Sequence, residues 1–270
     1  MVTDVADGVI GILAPNPGLM TGEGTNTYLL WSQGECAVVD PGPDDESHLR
    51  GVAAAARERG SLKAILVTHG HPDHDAGAAT LRALAGAPVL AWSHDGVKDA
   101  DGVLEDGAVT VVGTRRVLAL HTPGHRFDHL CFLIDGEGVL FAGDLVAGTG
   151  TVVIAPPEGD LSDYMASLRR LRALDLARLL PAHGPVVEDP KALLDYYIAH
   201  RDDRERQVLA ALANGATTVD DMVARIYAAV DPALHPVAAL SVTAHLLKLE
   251  REGRARRDPM QPDGQGWTQD

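Results

Sequence analysis

The chain is short of several things at once, and each shortage closes off a class of protein. Only two of its 270 residues are cysteine, Cys36 and Cys131, each inside an apolar run. That excludes a disulfide framework and reads as two small buried residues in a reducing compartment, with neither placed like a metal ligand. Aromatic residues make up 4%, which leaves few flat surfaces on which bases could stack. Cationic side chains are outnumbered, 23 Lys+Arg against 38 Asp+Glu, for a formal net charge of −15. Binding of duplex DNA by the whole surface is therefore not expected, because phosphate neutralisation needs clustered Lys and Arg. No apolar run approaches membrane-spanning length, and the opening Met1-Val2-Thr3-Asp4-Val5-Ala6-Asp7 lacks the basic-then-apolar order of a signal or transit peptide. The expectation is a cytoplasmic protein without a membrane partner.

What is present is a large apolar fraction, 46% of residues, with 23% charged, enough for one large domain and a small one. Short β-rich runs separated by Gly, Pro and Asn predict strands at Val9–Leu13, Thr27–Trp31, Ala37–Val39, Ile65–Val67, Val89–Ala91, Ala108–Val112, Val117–Leu120, Leu130–Ile134 and Val139–Ala142. Helices are predicted between them, at Asp44–Arg59, about Ala76–Ala85 and Leu161–Leu174. Strands with intervening helices imply a layered α/β architecture. From about residue 190 the pattern turns helical, with Pro190–Ala213, Val219–Val230 and Pro236–Glu252, then a polar tail able to form a short hairpin. Three helices and a wing are expected there, giving a catalytic domain over 1–190 and a helical, winged-helix-like domain over 191–270.

The densest chemistry follows the run Lys63–Val67, in Thr68-His69-Gly70-His71-Pro72-Asp73-His74-Asp75. Imidazole nitrogen mixed with carboxylate oxygen at this density suits zinc and its neighbours. Three later stretches also end an apolar run on a metal-capable residue: His121-Thr122-Pro123-Gly124-His125, Ala142-Gly143-Asp144 and Pro181-Ala182-His183-Gly184. Spacing alone does not choose among His121, His125 and His129. The remaining histidines, His48, His94, His200, His235 and His245, have no ligand partners in the sequence pattern.

His-x-His-x-Asp-His at 69–74, Thr-Pro-Gly-His at 122–125, Ala-Gly-Asp at 142–144 and Pro-Ala-His-Gly at 181–184 together resemble, in content and order, the metallo-β-lactamase fold superfamily. The resemblance covers roughly residues 8–190 and implies an αββα sandwich with two divalent metal ions, zinc foremost. It makes His69, His71 and His125 ligands of one ion and Asp73, His74 and His183 ligands of the other, with Asp144 bridging both. It assigns no organic cofactor. The implied chemistry is hydrolysis by a metal-bridging hydroxide, with Asp144 holding both ions and Asp73 orienting the nucleophile. His121 and His129 are then expected to support the ligands or pack, and Tyr164 is weighed as a general acid against a plain core role.

Asp144 resembles the bridging aspartate of thioesterase and phosphodiesterase branches more than the dedicated lactamases. Gly150-Thr151-Val152-Val153, Tyr197-Ile198-Ala199-His200-Arg201 and the run Ala244–Gly253 extend the likeness to the lactamase-beta-like protein 2 branch, whose animal member is a single-strand-specific endoribonuclease with a winged-helix domain. Lys248, Arg251, Arg254, Arg256 and Arg257 against Glu250 and Glu252 give net +3 over residues 248–257, where a wing would fall. The expected substrate is thus single-stranded RNA or a small molecule. The alternative is a glyoxalase II-like thioesterase on small acyl thioesters, or β-lactam hydrolysis as a side activity. No oligomeric state is implied.

Overall fold

The computed structural model describes residues 2–258 and 266–269. In chain order the elements are β1 (Val2–Ala6), β2 (Val9–Leu13), β3 (Asn26–Ser32), β4 (Glu35–Val39), α1 (Glu46–Arg59), β5 (Ser61–Leu66), α2 (Pro72–Asp75), α3 (Ala78–Ala85), β6 (Val89–Ala91), β7 (Gly102–Val103), β8 (Val109–Val112), β9 (Arg115–His121), β10 (Leu130–Ile134) and β11 (Val139–Gly143). They continue with α4 (Leu161–Arg172), β12 (Arg178–Pro181), α5 (Pro190–Ala213), α6 (Val219–Ile226), α7 (His235–Arg251), β13 (Ala255–Asp258) and β14 (Gly266–Gln269). Contacts divide the chain into two compact units. The first comprises residues 1–123, 128–152 and 172–193; the second comprises 124–127, 153–171 and 194–270.

In the first unit a seven-stranded sheet, β1-β2-β3-β4-β5-β6-β7, lies against a five-stranded sheet, β12-β11-β10-β9-β8. Alternation along each strand supplies the core between them. Tyr28, Leu30, Val39 and Leu66 from one sheet meet Val117, Leu130, Phe132 and Phe141 from the other in one buried cluster. Side chains at the intervening positions, Leu29, Val38, Ile65 and Val67, point the other way and pack under α1 and α3. The β3–β4 connection is a two-residue turn at Gln33 and Gly34, both with positive φ (48° and 75°), the backbone sign that matches the right-handed twist of a hairpin. Asp45 caps α1 by accepting from the His48 amide at 2.8 Å, and Gly60 ends it.

Three differences from the sequence expectation have local causes. The expected helix at 76–85 starts at Ala78, as α3, after the separate single turn α2 at Pro72–Asp75; the chain between them passes Gly77, where an added Cβ would stand 2.8 Å from Leu49 Cδ2 and 3.0 Å from the Pro43 carbonyl oxygen. The helix begun at Val219 stops at Ile226 rather than Val230. Strand β1 is absent from the sequence expectation, because its Val2-Thr3-Asp4 start is exposed and carries no alternation to read.

The second unit contains α4, most of α5, α6, α7 and the antiparallel hairpin β13–β14. Val208 and Leu212 on α5, Met222 on α6, Val242, Leu246 and Leu249 on α7, and Trp267 on β14 form its core. The expected three helices are present with the β13–β14 pair in the position of a wing; residues 259–265 lie outside the described residues. Among the described residues no helix is long and apolar enough to cross a membrane.

His245 on α7 is 1% exposed, and neither ring nitrogen has a hydrogen-bond partner. Burial, and then the charges of Arg201, Lys248, His200 and Arg204, push its pKa down to about 3. A folded pKa below the unfolded 6.5 means that the unfolded chain binds the extra proton. Stability is therefore intact above pH 6.5 and falls as pH drops from 6.5 toward 3, by up to about 1.4 kcal/mol per pH unit for one proton. Urea unfolding between pH 7 and 5 should show this decline, and His245→Leu should flatten it.

Candidate metal centre

The first donor cluster is delivered by the exit of β5. Val67 and Thr68 continue the strand line, His69 follows, and His71 stands at the N-cap of the single turn α2, with Pro72 at the first helical position. That turn carries Asp73 and His74. The parallel pairing of β11 with β12 places Gly143 opposite Pro181, so Asp144 and His183, which follow those strands, come out side by side. Gly143 has φ +50°, and a Cβ there would lie 2.6 Å from His129 Nε2 and 2.9 Å from Thr68 Cβ. Only glycine lets the chain turn to Asp144 in this space.

Two sets of donors result within the first unit. His69, His71 and Asp144 each offer a ligand atom, all within 4.8 Å of one another, and so do Asp73, His74 and His183. Asp144 also faces the second set: its Oδ1 is 3.6 Å from His74 Nε2 and 3.3 Å from His183 Nε2. Asp73 Oδ2 lies 3.2 Å from His183 Nε2 and 3.5 Å from His74 Nε2. His74 is fully buried, yet its Nε2 has no hydrogen bond. An unsatisfied imidazole nitrogen facing two carboxylates costs free energy unless a cation sits among them, so the donor set fits a divalent metal.

The hydrogen bonds behind the ligands fix which nitrogen faces inward. Asp40 Oδ2 accepts from His74 Nδ1 at 2.8 Å, which leaves Nε2 as the lone-pair nitrogen. Thr68 Oγ1 donates to Asp40 Oδ2 at 2.8 Å and lies 3.0 Å from His69 Nδ1, so His69 also presents Nε2. His183 Nδ1 is 3.4 Å from the Gly24 carbonyl oxygen. His129 Nε2 accepts the Asp144 amide at 3.0 Å, which puts its proton on Nδ1, directed at Thr122 Oγ1, 2.9 Å away. Burial alone would lower the pKa of His74, but the Asp144 and Asp40 carboxylates hold it well above its ordinary value. His183 shows the same contest, with Asp73 and Asp144 raising it. Burial would raise Asp73, and its hydrogen bond with His183 and the nearby His74 bring it below the usual range.

His125 belongs to the second unit, where its Nδ1 is 2.9 Å from the Val153 carbonyl oxygen. His121 is stacked flat on Trp92, with ring centroids 3.6 Å apart, and its amide donates to Asp106. Tyr164 is completely buried in the second unit, with the Arg201 guanidinium 5.3 Å from its ring centre, a core position. The sequence reading missed Asp40. It sits at φ +51°, 2% exposed, and takes the Thr68 amide on Oδ1 at 2.8 Å and the Thr68 hydroxyl and His74 on Oδ2. The signal was available: Val38-Val39-Asp40 ends a buried strand on a carboxylate, as Ala142-Gly143-Asp144 does.

Residues 20–183 match the metallo-beta-lactamase superfamily. The chain belongs to that superfamily of hydrolases. Residues 218–267 match the beta-lactamase associated winged helix domain, so the αββα sandwich is followed by a winged helix. A beta-lactamase-like protein 2 homolog of Drosophila melanogaster is 35% identical over 94% of this chain and 92% of its own length. An atrochrysone carboxyl ACP thioesterase of Aspergillus fumigatus is 34% identical over 81% and 73%. Two crystal structures share the fold: a metallo-beta-lactamase family protein from Thermus thermophilus (TM-score 0.81, 22% identity, 98% and 99% coverage) and a beta-lactamase domain protein from Burkholderia ambifaria (TM-score 0.84, 22% identity, 100% and 93% coverage).

Asp40→Ala strips the acceptor from three buried donors, so it should lower stability by about 3 kcal/mol and weaken metal binding about 10- to 100-fold. Chelator competition and urea unfolding measure the two effects separately.

Proposed function

We propose that this chain is a dinuclear metal-dependent hydrolase acting on acyl thioesters. The observation that carries the reading is the position of Asp144, grouped with His69 and His71 while its Oδ1 faces both His74 and His183. One carboxylate shared between two donor sets is what a pair of mutually repelling cations requires. In this reading His125 joins His69 and His71 as a ligand of the first ion, and Asp73, His74 and His183 hold the second. Zinc suits the mixture of imidazole and carboxylate. Bound ions supply a water acidic enough to ionise near neutrality and a Lewis acid for the carbonyl oxygen. Asp73, with a side chain 29% exposed against 14% for Asp144, is the carboxylate open to the substrate side; it orients the attacking water and receives its proton. Addition of that water to the thioester carbonyl breaks the carbon–sulfur bond, and the thiol leaves with the proton.

Two observations support a thioester above RNA. The cations of the wing region are engaged internally: Lys248 and Arg254 with Glu205 and Glu252, Arg257 with Glu250, and Arg251 with Asp160. Two acidic partners from outside that window, Glu205 and Asp160, reduce its net +3 further. The loop before β3 projects apolar side chains instead. Leu19 and Met20 are 75% and 58% exposed on a tip closed by the Gly18–Gly22 pairing. Its base is joined to the His183 segment through the Thr25–His183 bridge. An acyl chain would find apolar surface there, whereas a phosphate backbone would not. The thioesterase named above, similar over 81% of this chain, supports the same substrate class. Buried Cys36 and Cys131, neither in a disulfide, support a cytoplasmic setting, and in this reading the catalytic part ends near residue 190, ahead of the winged helix matched at 218–267.

Metal analysis of chain purified without chelators should return close to two ions per chain; one or none would sink the dinuclear reading. Asp144→Asn should abolish turnover with its circular dichroism unchanged. Side-by-side assays on an acyl thioester, single-stranded RNA and a β-lactam decide the substrate: thioester turnover should exceed the others by at least about tenfold, and preferential cleavage of RNA would restore the nuclease reading. Leu19→Ser with Met20→Ser should raise KM for a long acyl chain several-fold, consistent with about 1 kcal/mol of lost apolar contact, and leave KM for an acetyl thioester near its original value.

A further inference from the structure

The backbone between the two histidines His69 and His71 is held by a residue the mechanism has not used. Asp128 is 1% exposed, and its Oδ2 accepts the Gly70 amide at 3.0 Å. The surrounding space is fully committed. A Cβ on Gly96 would stand 1.9 Å from Asp128 Oδ2, and a Cβ on Gly70 would stand 2.0 Å from the Gly96 carbonyl oxygen. Asp128 is therefore wedged against two glycines from two loops, one of which carries His69 and His71. Its neighbour His129 reaches the other way and takes the Asp144 amide. Two consecutive side chains, leading into β10, thus hold the backbone of two ligand-bearing segments that are far apart in sequence.

We propose that Asp128 is a positioning residue that sets affinity at the first metal position by fixing the peptide between His69 and His71. The inference rests on the dinuclear reading for its effect on metal, but not for its effect on the loop. A carboxylate accepting a buried amide is strong and directional, and loss of a partner behind a ligand commonly costs 10- to 100-fold in metal affinity. The second set, Asp73, His74 and His183, has its own support in Asp40. Removing Asp128 should consequently separate the two positions.

The test compares wild type, Asp128→Ala and Asp128→Asn, the last keeping an oxygen of the same reach. Zinc affinities come from chelator competition, with the two positions assigned from cobalt spectra against His71→Ala and His183→Ala references. Asp128→Ala should weaken the first ion about 10- to 100-fold and the second less than about threefold, while Asp128→Asn stays within about threefold of wild type at both. In metal-free protein, Gly70 amide exchange should accelerate about tenfold or more in Asp128→Ala and remain slow in Asp128→Asn. Unchanged Gly70 exchange in Asp128→Ala, or equal loss of both ions, overturns the proposal. Asp128→Ser, too short to reach the Gly70 amide, gives the same readings should the alanine variant fail to fold. If wild type itself binds no ions, the dinuclear reading fails, and Gly70 exchange still decides whether Asp128 holds the loop.

Discussion

The contacts made by Thr68 are what the metal centre depends on. Its amide and hydroxyl both donate to Asp40, and its hydroxyl also meets His69 Nδ1. Its carbonyl oxygen accepts the Leu130 amide at 2.7 Å, which ties the end of β5 to the start of β10 in the opposite sheet. One residue thus orients one donor, anchors the carboxylate that orients a second, and joins the two sheets at the end where the donors emerge. A second tie, Asn26 amide to Ala182 carbonyl oxygen at 2.8 Å, does the same beside His183. The sheets must close on each other there before Asp144 can face His74.

Acidity and burial pull against each other throughout this region. Asp40, Asp128 and Asp144 are carboxylates with little or no solvent contact, an arrangement that is expensive unless each is satisfied. Asp40 and Asp128 are satisfied by amides, a hydroxyl and an imidazole. Asp144 is turned toward histidines of two donor sets, which is the feature that asks for cations. The net charge of −15 includes this internal demand, and not only a solvated surface.

Much of this was legible in the residues. Strand ends carrying His69, Asp144 and His183 were visible because each interrupts an apolar run, and the three helices of the second unit were visible from their period. Less legible were features set by partners far away in sequence. Asp40 reads as a turn residue beside Pro41 and Gly42 until Thr68 and His74 fold onto it. Spacing left His121, His125 and His129 equivalent, and only tertiary contacts separated the Trp92 stack of His121 from the Asp144 amide held by His129. The pairing of the basic cluster at 248–257 was hidden for the same reason, since Glu205 and Asp160, two of its partners, lie outside the window in which charge was counted.

The placement of four donors between His69 and His74 has a consequence for how the protein is made. Those donors are neighbours along the chain, so an unfolded or nascent chain already presents a chelating segment, whereas Asp144 and His183 arrive only when the second sheet closes. Metal that binds both states stabilises the native one by the difference alone. A metal ion meeting the chain before folding is complete would find the early donors first, and the late carboxylate would make the finished fold the tighter binder.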